Sequence, residues 1–491
     1  MTRMNRATKM VDGTFGAVPD NAGVIRRERQ SATGRLSTRA ERSKLGKSMH
    51  RGLPWPVFLF MAGLLIPWII TIGPVRMSLY RFVLLACLLP CLIGWISGKA
   101  GRIRIADISL ILYCFWCFLA IGMVHGFDYA FQPSGMIFIE TVGAYMLARC
   151  FIRDADDFYN MVRMLLRLVT LLLPFAVFEA ITGRNVLLSI FAAVYPTFPD
   201  NFVDPRWGMR RVQSLFEHPI LYGVVCASAL ALTHMVLGYG KSFVGRWRGT
   251  AIVIAATFFS LSAGPMTALA SQGMLLGWNW VLKSIEARWK ILCAFGFLAA
   301  MSIELLSNRS VPVVFMSYFS FDESSAYVRA EIWRYGSASI MNHPLFGVGF
   351  GYWERPSWMS PSIDMFWIID GVRHGLPAEL FMGLAFFAVY LPVAFKSGLD
   401  ERTQAYKTAF VIAMTGFFLV GWTVYFWNAT YVVFIFMLGS GVWILDAKTD
   451  AGETMPRGRS HSETVDALRR NGRASERGKP PAHEGKRRPY A

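Results

Sequence analysis

Between its two polar tails the chain is strongly apolar, but two polar stretches within that part carry several arginines. The candidates are Arg206, Arg210 and Arg211 within residues 183–218, and Arg329 and Arg373 within residues 308–375. Arginine binds phosphate and carboxylate groups through a planar fork of N–H donors. The pattern therefore predicts a site for an anionic ligand. The alternative is ion pairing with acids of the same stretches, namely Asp204, Glu217, Glu331 and Asp364.

A histidine and three glycines follow the first arginines of the second stretch. His343-Pro344 precedes Gly347, Gly349 and Gly351. Because proline disfavours helix at the residue before it, the helical pattern upstream should end near His343. The glycines permit a backbone path, or a close approach to a ligand, that a Cβ atom would block. The plainer alternative is a surface helix followed by a flexible turn.

Composition and charge predict the class of protein. The chain has 491 residues, 54% of them hydrophobic, and a formal charge of +18. Residues 1–52 hold 12 Lys and Arg against 4 Asp and Glu, and residues 447–491 hold 11 against 6. This indicates an all-α, polytopic integral membrane protein between two basic, disordered tails. Aromatic residues do not interleave with the tail arginines, so we expect the tails to associate with anionic lipid and not with nucleic acid.

Apolar runs occupy most of residues 53–446, which we interpret as one membrane-embedded domain. A span needs about 20 mostly apolar residues. On that criterion twelve spans are predicted, near residues 53–73, 77–97, 105–125, 133–152, 163–182, 219–239, 249–264, 265–283, 289–307, 376–396, 406–422 and 425–446. Gly264-Pro265 divides the seventh from the eighth and is either a turn or a kink.

Basic residues follow every even-numbered span before the last. They are Lys99, Arg102 and Arg104; Arg149, Arg153 and Arg163; Lys241, Arg246 and Arg248; Lys283, Arg288 and Lys290; and Lys396, Arg402 and Lys407. Because Lys and Arg near span ends favour the cytoplasm, both tails are predicted to be cytoplasmic. The two arginine-containing stretches, about residues 183–218 and 308–375, then form loops on the outer side.

Ionisable residues inside the predicted spans lie mostly towards the same outer side. Arg81, Glu179, Glu304 and Glu379 fall near outer span ends, and Glu140 falls in the outer half of its span. Such residues are costly in lipid and usually face a cavity. A proton-coupled transporter would place them near the midplane. The distribution therefore favours chemistry at the outer boundary of the membrane.

Several motifs resemble the O-antigen ligase and Wzy-type polysaccharide polymerase superfamily. Arg329-x-x-x-Trp333 precedes His343-Pro-Leu-Phe-Gly347-Val-Gly349-Phe-Gly351 in the second outer loop. Arg211-Val-Gln-Ser-Leu-Phe-Glu217-His218-Pro219 resembles the family's first outer loop. Ser260-Leu-Ser262-Ala-Gly264-Pro265 resembles its short segment inside the membrane. The resemblance covers about residues 53–446.

The resemblance implies glycosyl transfer from undecaprenyl pyrophosphate to a sugar hydroxyl, at the periplasmic face of the bacterial inner membrane. No metal or other cofactor is implied, so side-chain cations would bind the pyrophosphate. Arg211 and Arg329 are the first candidates, followed by Arg206, Arg210 and Arg373, with His343, Gly347 and Gly349 as further substrate contacts. The lipid bilayer would deliver the lipid-linked oligosaccharide, and a flippase and a chain-length regulator are candidate partner proteins.

One departure from the family bears on the catalytic base. Ligases of this family carry a His-Asn pair where this sequence has Asp364. We therefore take Asp364 as the leading base, with Glu217 and His374 as alternatives, and favour a polymerase over an O-antigen ligase acting on lipid A core. His218 and His343 have a second interpretation as helix-capping residues that only hydrogen-bond backbone. A polyisoprenoid-glycan transporter is the alternative from another functional class.

Single cysteines and a membrane-impermeant thiol reagent test the predicted orientation in intact cells. Asp200→Cys and Ser360→Cys should react from the periplasm, because they lie in the two predicted outer loops. Gly245→Cys should not react, because it lies in a basic loop that follows an even-numbered span. The unsubstituted protein, with its seven native cysteines, gives the background. Labelling at residue 245 would contradict the orientation, and with it a site shared by the two outer loops.

Overall fold

The computed structural model describes residues 52–308, 310–318 and 323–448, which form a mostly helical protein. The predicted tails, residues 1–52 and 447–491, lie outside the described residues except for positions 52, 447 and 448. In the described part of the chain, seven helices are long and apolar enough to cross a membrane. They are Leu79–Ile96, Ile105–His125, Ala155–Thr182, Pro219–Leu237, Arg288–Leu306, Leu376–Phe395 and Asn428–Asp446. The expectation of an all-α, multi-pass membrane protein is confirmed at this level.

In chain order the elements are α1 (Trp55–Gly63), β1 (Ile69–Ile72), β2 (Val75–Ser78), α2 (Leu79–Ile96), α3 (Ile105–His125), α4 (Phe127–Phe138), α5 (Ala144–Phe151), α6 (Ala155–Thr182), α7 (Val186–Ala192), α8 (Pro219–Leu232), α9 (Phe243–Phe259), α10 (Ala263–Val281), α11 (Arg288–Leu306), α12 (Val311–Tyr318), α13 (Glu323–Asn342), α14 (Phe366–His374), α15 (Leu376–Phe395), α16 (Glu401–Val420), α17 (Asn428–Ser440) and α18 (Trp443–Asp446). Two π-helical segments, Ile139–Gly143 and Thr233–Leu237, join α4 to α5 and extend α8.

Each of the twelve predicted ranges contains helix, but five of them are not among the seven candidate spans. Helix α1 has only 9 residues and α9 has 17. The range 133–152 is divided between α4, a π-helical segment and α5. Helices α10 and α16 are long enough, at 19 and 20 residues, but their mean hydropathy is lower than a candidate span requires.

The first predicted span differs most from the structure. Helix α1 ends at Gly63, and the chain then forms an antiparallel hairpin in which Ile69 pairs with Ser78 and Ile72 pairs with Val75. β-branched residues favour strands, and Gly73, at φ +57°, supplies the left-handed position of the turn. The run 53–73 is apolar enough for a span, but its second half has the residues of a strand.

Gly264-Pro265 marks a true break between helices. Helix α9 ends at Phe259, and α10 begins at Ala263 after a three-residue turn. Leu261 has φ +45° within that turn, a conformation uncommon for a bulky residue. Pro265 lies in the first turn of α10, where proline costs no hydrogen bond. The interpretation of this region as a turn is confirmed. The turn is centred on Leu261, three residues before Gly264, where the sequence predicted it.

The second arginine-containing stretch, residues 308–375, has a hydrophobic core of its own. Helix α13 ends at Asn342, as Pro344 predicts. The short helix α14, which the sequence did not suggest, packs against it. The core is formed by Met316, Ile332, Trp353, Met359, Ile363, Met365, Ile368, Ile369 and Val372. This packing holds the last turn of α14 in a fixed position.

Close packing of α8 against the turn before α10 leaves no room for a side chain at Gly223. A Cβ atom there would lie 2.5 Å from Ser260 Oγ and 2.6 Å from Pro265 Cγ. We expect Gly223→Ala to destabilise the protein by about 1–3 kcal/mol, because overpacking forces neighbours to move. The apparent melting temperature in detergent should fall.

Gly273→Ala is the matched control, since a Cβ atom at this helical position meets nothing within 4 Å. It should leave the melting temperature unchanged or raise it, because alanine favours helix over glycine. Equal effects of the two substitutions would show that the α8–α10 contact is looser than described.

Candidate functional site

The segment between α16 and α17, residues 421–427, is here called the central loop, and several predicted site residues meet at it. The backbone N–H of Phe366, which begins α14, donates to the carbonyls of Gly421 and Val424 at 2.8 and 3.2 Å. Asn428 begins α17 with φ +47°, a left-handed conformation that asparagine adopts more readily than most residues. These features turn the chain sharply between the two helices.

Two arginines of the first arginine-containing stretch, residues 183–218, are directed at the turn between α9 and α10. Arg206 Nη1 donates to the carbonyl of Leu261 at 3.0 Å. Arg211 Nη2 donates to Ser262 Oγ at 2.8 Å. Since these partners are consecutive residues, Arg206 and Arg211 meet at one place.

Arg329, from the second arginine-containing stretch, reaches the same region through the central loop. Its Nε donates to the carbonyl of Thr423 at 3.2 Å. Thr423 lies beside the α9–α10 turn, because a Cβ atom at Gly264 would be 3.4 Å from Thr423 Oγ1. The structure therefore brings arginines of both stretches to adjoining backbone segments.

His218 lies between the first arginines and the central loop. Its Nδ1 accepts the Ile220 N–H at 3.2 Å and caps α8, so the helix-capping interpretation is confirmed for this histidine. Its ring lies 6.2 Å from that of Trp427. Burial, with the nearby positive charge of Arg211, lowers the pKa of His218 to about 4, although the Asp364 carboxylate opposes this. His218 is therefore neutral at pH 7, and Arg211 and Asp364 both lie close enough to act on it.

A second cluster, here called the buried network, lies at the other end of the central loop. Arg81 Nη2 is 2.8 Å from Glu140 Oε1, and its Nε donates to the same oxygen at 2.9 Å. The Tyr80 hydroxyl donates to this oxygen at 3.0 Å. Arg81 Nη2 also donates to Asn428 Oδ1 at 2.8 Å. Asn428 Nδ2 donates to Glu217 Oε1 at 3.1 Å, which joins the first arginine-containing stretch to the network.

Two cavities share Asn428 in their walls. The first, about 240 Å³, is lined by Glu140, Asp370, Arg373, His374 and several aromatic residues. The second, about 290 Å³, is lined by Arg76, Arg81 and Glu217 among others. Each has a buried polar atom that no described residue satisfies, His374 Nδ1 in the first and Glu217 Oε2 in the second. Burial also raises the pKa of Glu217. Both cavities can therefore bind a polar ligand.

The last turn of α14 gives the first cavity its charge. Asp370 Oδ2 accepts the Tyr113 hydroxyl at 3.0 Å. Burial raises the pKa of Asp370 to about 6, although the Tyr113 hydrogen bond and Arg373 oppose the shift. Arg373 lies over the ring of Tyr425, 5.5 Å from its centroid, and donates to its hydroxyl at 3.4 Å. Burial and the Arg373 charge lower the pKa of His374 to about 3, so this histidine is neutral.

The glycine motif positions that turn by backbone pairing. Val348 N donates to the carbonyl of Val372 at 2.9 Å, and Gly349 N donates to that of Arg373 at 2.8 Å. Gly347 and Gly349 both have φ +63°. A Cβ atom at Gly347 would lie 2.5 Å from the Val372 carbonyl oxygen. Of the two roles predicted for these glycines, the structure shows the permitted backbone path, which fixes Arg373 and His374.

Two predicted substrate-binding residues have protein partners away from the cavities. Arg210 pairs with Asp200 and lies 3.8 Å, through Nε, from Glu179 Oε1. It thus follows the ion-pair alternative, although with other acids than those predicted. His343 is half exposed, and its Nε2 lies 3.7 Å from Glu354 Oε1.

Asn428, Asp370 and Tyr425 line the first cavity but were not predicted as site residues. Tyr425 and Asn428 stand in an apolar run that resembles the start of a span. Only the Asn-Ala-Thr sequence at residues 428–430 indicates a helix start there, since asparagine and threonine are preferred at the N-cap of a helix.

Asp370 should make the stability of the protein depend on pH. An unfolded Asp has a pKa near 3.9, and that of the folded residue is raised to about 6. The associated stability is therefore fully present below about pH 4 and is lost as the pH rises through 6, by about 2–3 kcal/mol. Between pH 4.5 and 7.5 the melting temperature should fall further in the wild type than in Asp370→Asn.

Asp364→Asn is the control for this comparison, because Asp364 is exposed. Its melting temperature should follow that of the wild type across the same range. If Asp370→Asn also follows the wild type, Asp370 is more hydrated than its position on α14 indicates.

The arrangement offers arginine N–H donors for an anion, carboxylates for proton transfer, and aromatic faces from the central loop. In the described residues no group of three or more His, Cys, Asp or Glu side chains is placed to hold a metal ion.

No family model matches the sequence, and no curated protein is significantly similar to it.

Proposed function

We propose that this protein is a polymerase of undecaprenyl-pyrophosphate-linked glycan repeats for surface polysaccharide or exopolysaccharide. It would act at the periplasmic face of the bacterial inner membrane, in a twelve-span topology with both tails cytoplasmic. The convergence of Arg206, Arg211 and Arg329 on the α9–α10 turn and the central loop carries the proposal. A pyrophosphate leaving group develops negative charge, and fixed cations stabilise it in the transition state.

The transfer itself needs a base beside those cations. In the proposed step the acceptor sugar hydroxyl attacks the anomeric carbon of the donor, and the bond from that carbon to the pyrophosphate oxygen breaks. The hydroxyl proton passes to the Asp364 carboxylate, which is exposed and accepts a hydrogen bond from Ser362. Asp364 raises the pKa of His218 and Arg211 lowers it, so both charges act on the same histidine. This supports a position for Asp364 beside the proposed pyrophosphate site.

The sugars of the two substrates need polar and aromatic walls. Tyr425 and Trp427 stack on each other with ring centroids 5.7 Å apart at the edge of the first cavity. Sugar rings pack on such faces while carboxylates and arginines bind their hydroxyls. His374 lines the first cavity and Glu217 lines the second, so that each adds a polar side chain to the wall. Glu217 and His374 are therefore better placed to orient the substrate than to accept the proton of the acceptor hydroxyl.

A transporter of polyisoprenoid-linked glycan is the second candidate, and one observation favours it. The two cavities lie on either side of Asn428, with the Arg81–Glu140 ion pair beside it. Opening of that contact would connect them. A transporter would move the lipid-linked glycan without lengthening it, whereas a polymerase releases undecaprenyl pyrophosphate.

Arginine substitutions test the proposed pyrophosphate site. Arg211→Lys and Arg329→Lys should each abolish polymer while the protein still accumulates, because lysine cannot reproduce the guanidinium fork. Loss of one such donor lowers turnover by about 3–4 kcal/mol, or several hundredfold. Arg184→Lys and Arg334→Lys are matched controls on exposed positions of the same two stretches. Normal polymer from both test variants would place the pyrophosphate elsewhere.

A deletion strain distinguishes a polymerase from a ligase. Loss of high-molecular-weight polysaccharide, while single repeats still reach their usual destination, is the expected phenotype. Asp364 favours this outcome, since a carboxylate repels the anionic lipid A core that a ligase must receive. Full-length polymer retained on undecaprenyl pyrophosphate, together with bare lipid A core, would instead identify an O-antigen ligase.

A further inference from the structure

A basic groove of about 780 Å³ lies between α6, the end of α8 and α9, and none of its lining residues belongs to the two cavities described above. Five basic side chains line it, namely Arg163, Arg167, Lys241, Arg246 and Arg248. No Asp or Glu is among the lining residues. The groove therefore has a strong positive charge.

The basic side chains stand at one end of an apolar trough. Along α6 the groove is lined by Tyr159, Arg163, Arg167, Leu171 and Phe175, which recur every four residues, so that each lies next to the following one on the helix surface. From Arg163 to Phe175 this row of side chains rises about 18 Å at about 1.5 Å per residue. Because α6 is a candidate span, the trough runs along the direction of lipid acyl chains.

The protein does not neutralise this charge within its described residues. Arg163 Nη2 donates to Asn160 Oδ1 at 2.8 Å, and Arg246 Nε donates to the Gly238 carbonyl at 3.3 Å. Both partners are uncharged. Ion pairs form elsewhere in the described chain but not with any of the five.

We propose that the groove binds an anionic phospholipid. The arginines bind the headgroup phosphate through forked hydrogen bonds, and an acyl chain lies against Leu171, Phe175 and Ile252. A basic pocket between membrane helices is the arrangement that recognises anionic headgroups. This site does not depend on the proposed polymerase activity.

The proposal is tested by reconstituting the purified protein in phosphatidylcholine vesicles with and without phosphatidylglycerol. The measured quantity is the amount of phosphatidylglycerol that stays bound to the protein. The wild type should bind phosphatidylglycerol selectively. Arg167→Gln with Arg248→Gln should weaken binding about 30-fold, since each Lys or Arg near an anionic surface contributes roughly fivefold. Both positions are exposed, so the fold should persist.

Two further variants separate the headgroup from the chain. Thr170→Trp, at an exposed position of the groove, fills the trough without changing its charge and should also reduce binding. Lys283→Gln with Lys290→Gln removes two exposed basic residues outside the groove and should leave binding unchanged. Equal retention by all variants would overturn the proposal. So would full binding by Thr170→Trp with displacement by inorganic phosphate, which indicates an ion site without a lipid chain.

Discussion

The ion pair between Arg81 and Glu140 is the interaction on which the rest of the site depends. Charges inside a membrane protein are tolerated only when they are paired and hydrogen-bonded. Here Tyr80 and Asn428 complete the pair, so that α2, the π-helical segment after α4 and the start of α17 are held together. Removal of one partner from such a pair leaves an uncompensated charge and costs about 3–5 kcal/mol.

The position of Asn428 within this network determines the path of the central loop. Its left-handed backbone directs residues 421–427 past α14, where the carbonyls of Gly421 and Val424 accept the N–H of Phe366. One side of the loop then receives Arg329, and the other contributes Tyr425 and Asn428 to the first cavity. The glycine motif fixes the far end of α14 by pairing with Val372 and Arg373. Cations, carboxylates and aromatic rings are thus placed by backbone contacts between distant parts of the chain.

Much of this protein follows from local sequence. The apolar runs predict the helices, Pro344 predicts the end of α13, and His218-Pro219 predicts a capped helix start. The convergence of arginines from two loops was also expected. The central loop was missed because Val424, Tyr425, Phe426 and Trp427 are as apolar as a span. The pairing of Arg210 with Glu179 and Asp200 was not predicted for a similar reason, since it depends on tertiary contacts.

Reconstitution with a defined lipid-linked repeat tests the central claim most directly. Purified protein in vesicles would receive undecaprenyl-pyrophosphate-linked oligosaccharide of one repeat, and both glycan length and free undecaprenyl pyrophosphate would be measured. The account predicts longer glycans and an equivalent release of undecaprenyl pyrophosphate, both lost in Arg211→Lys and Arg329→Lys. Movement of the lipid-linked repeat across the bilayer, at unchanged length and with no pyrophosphate released, would contradict it.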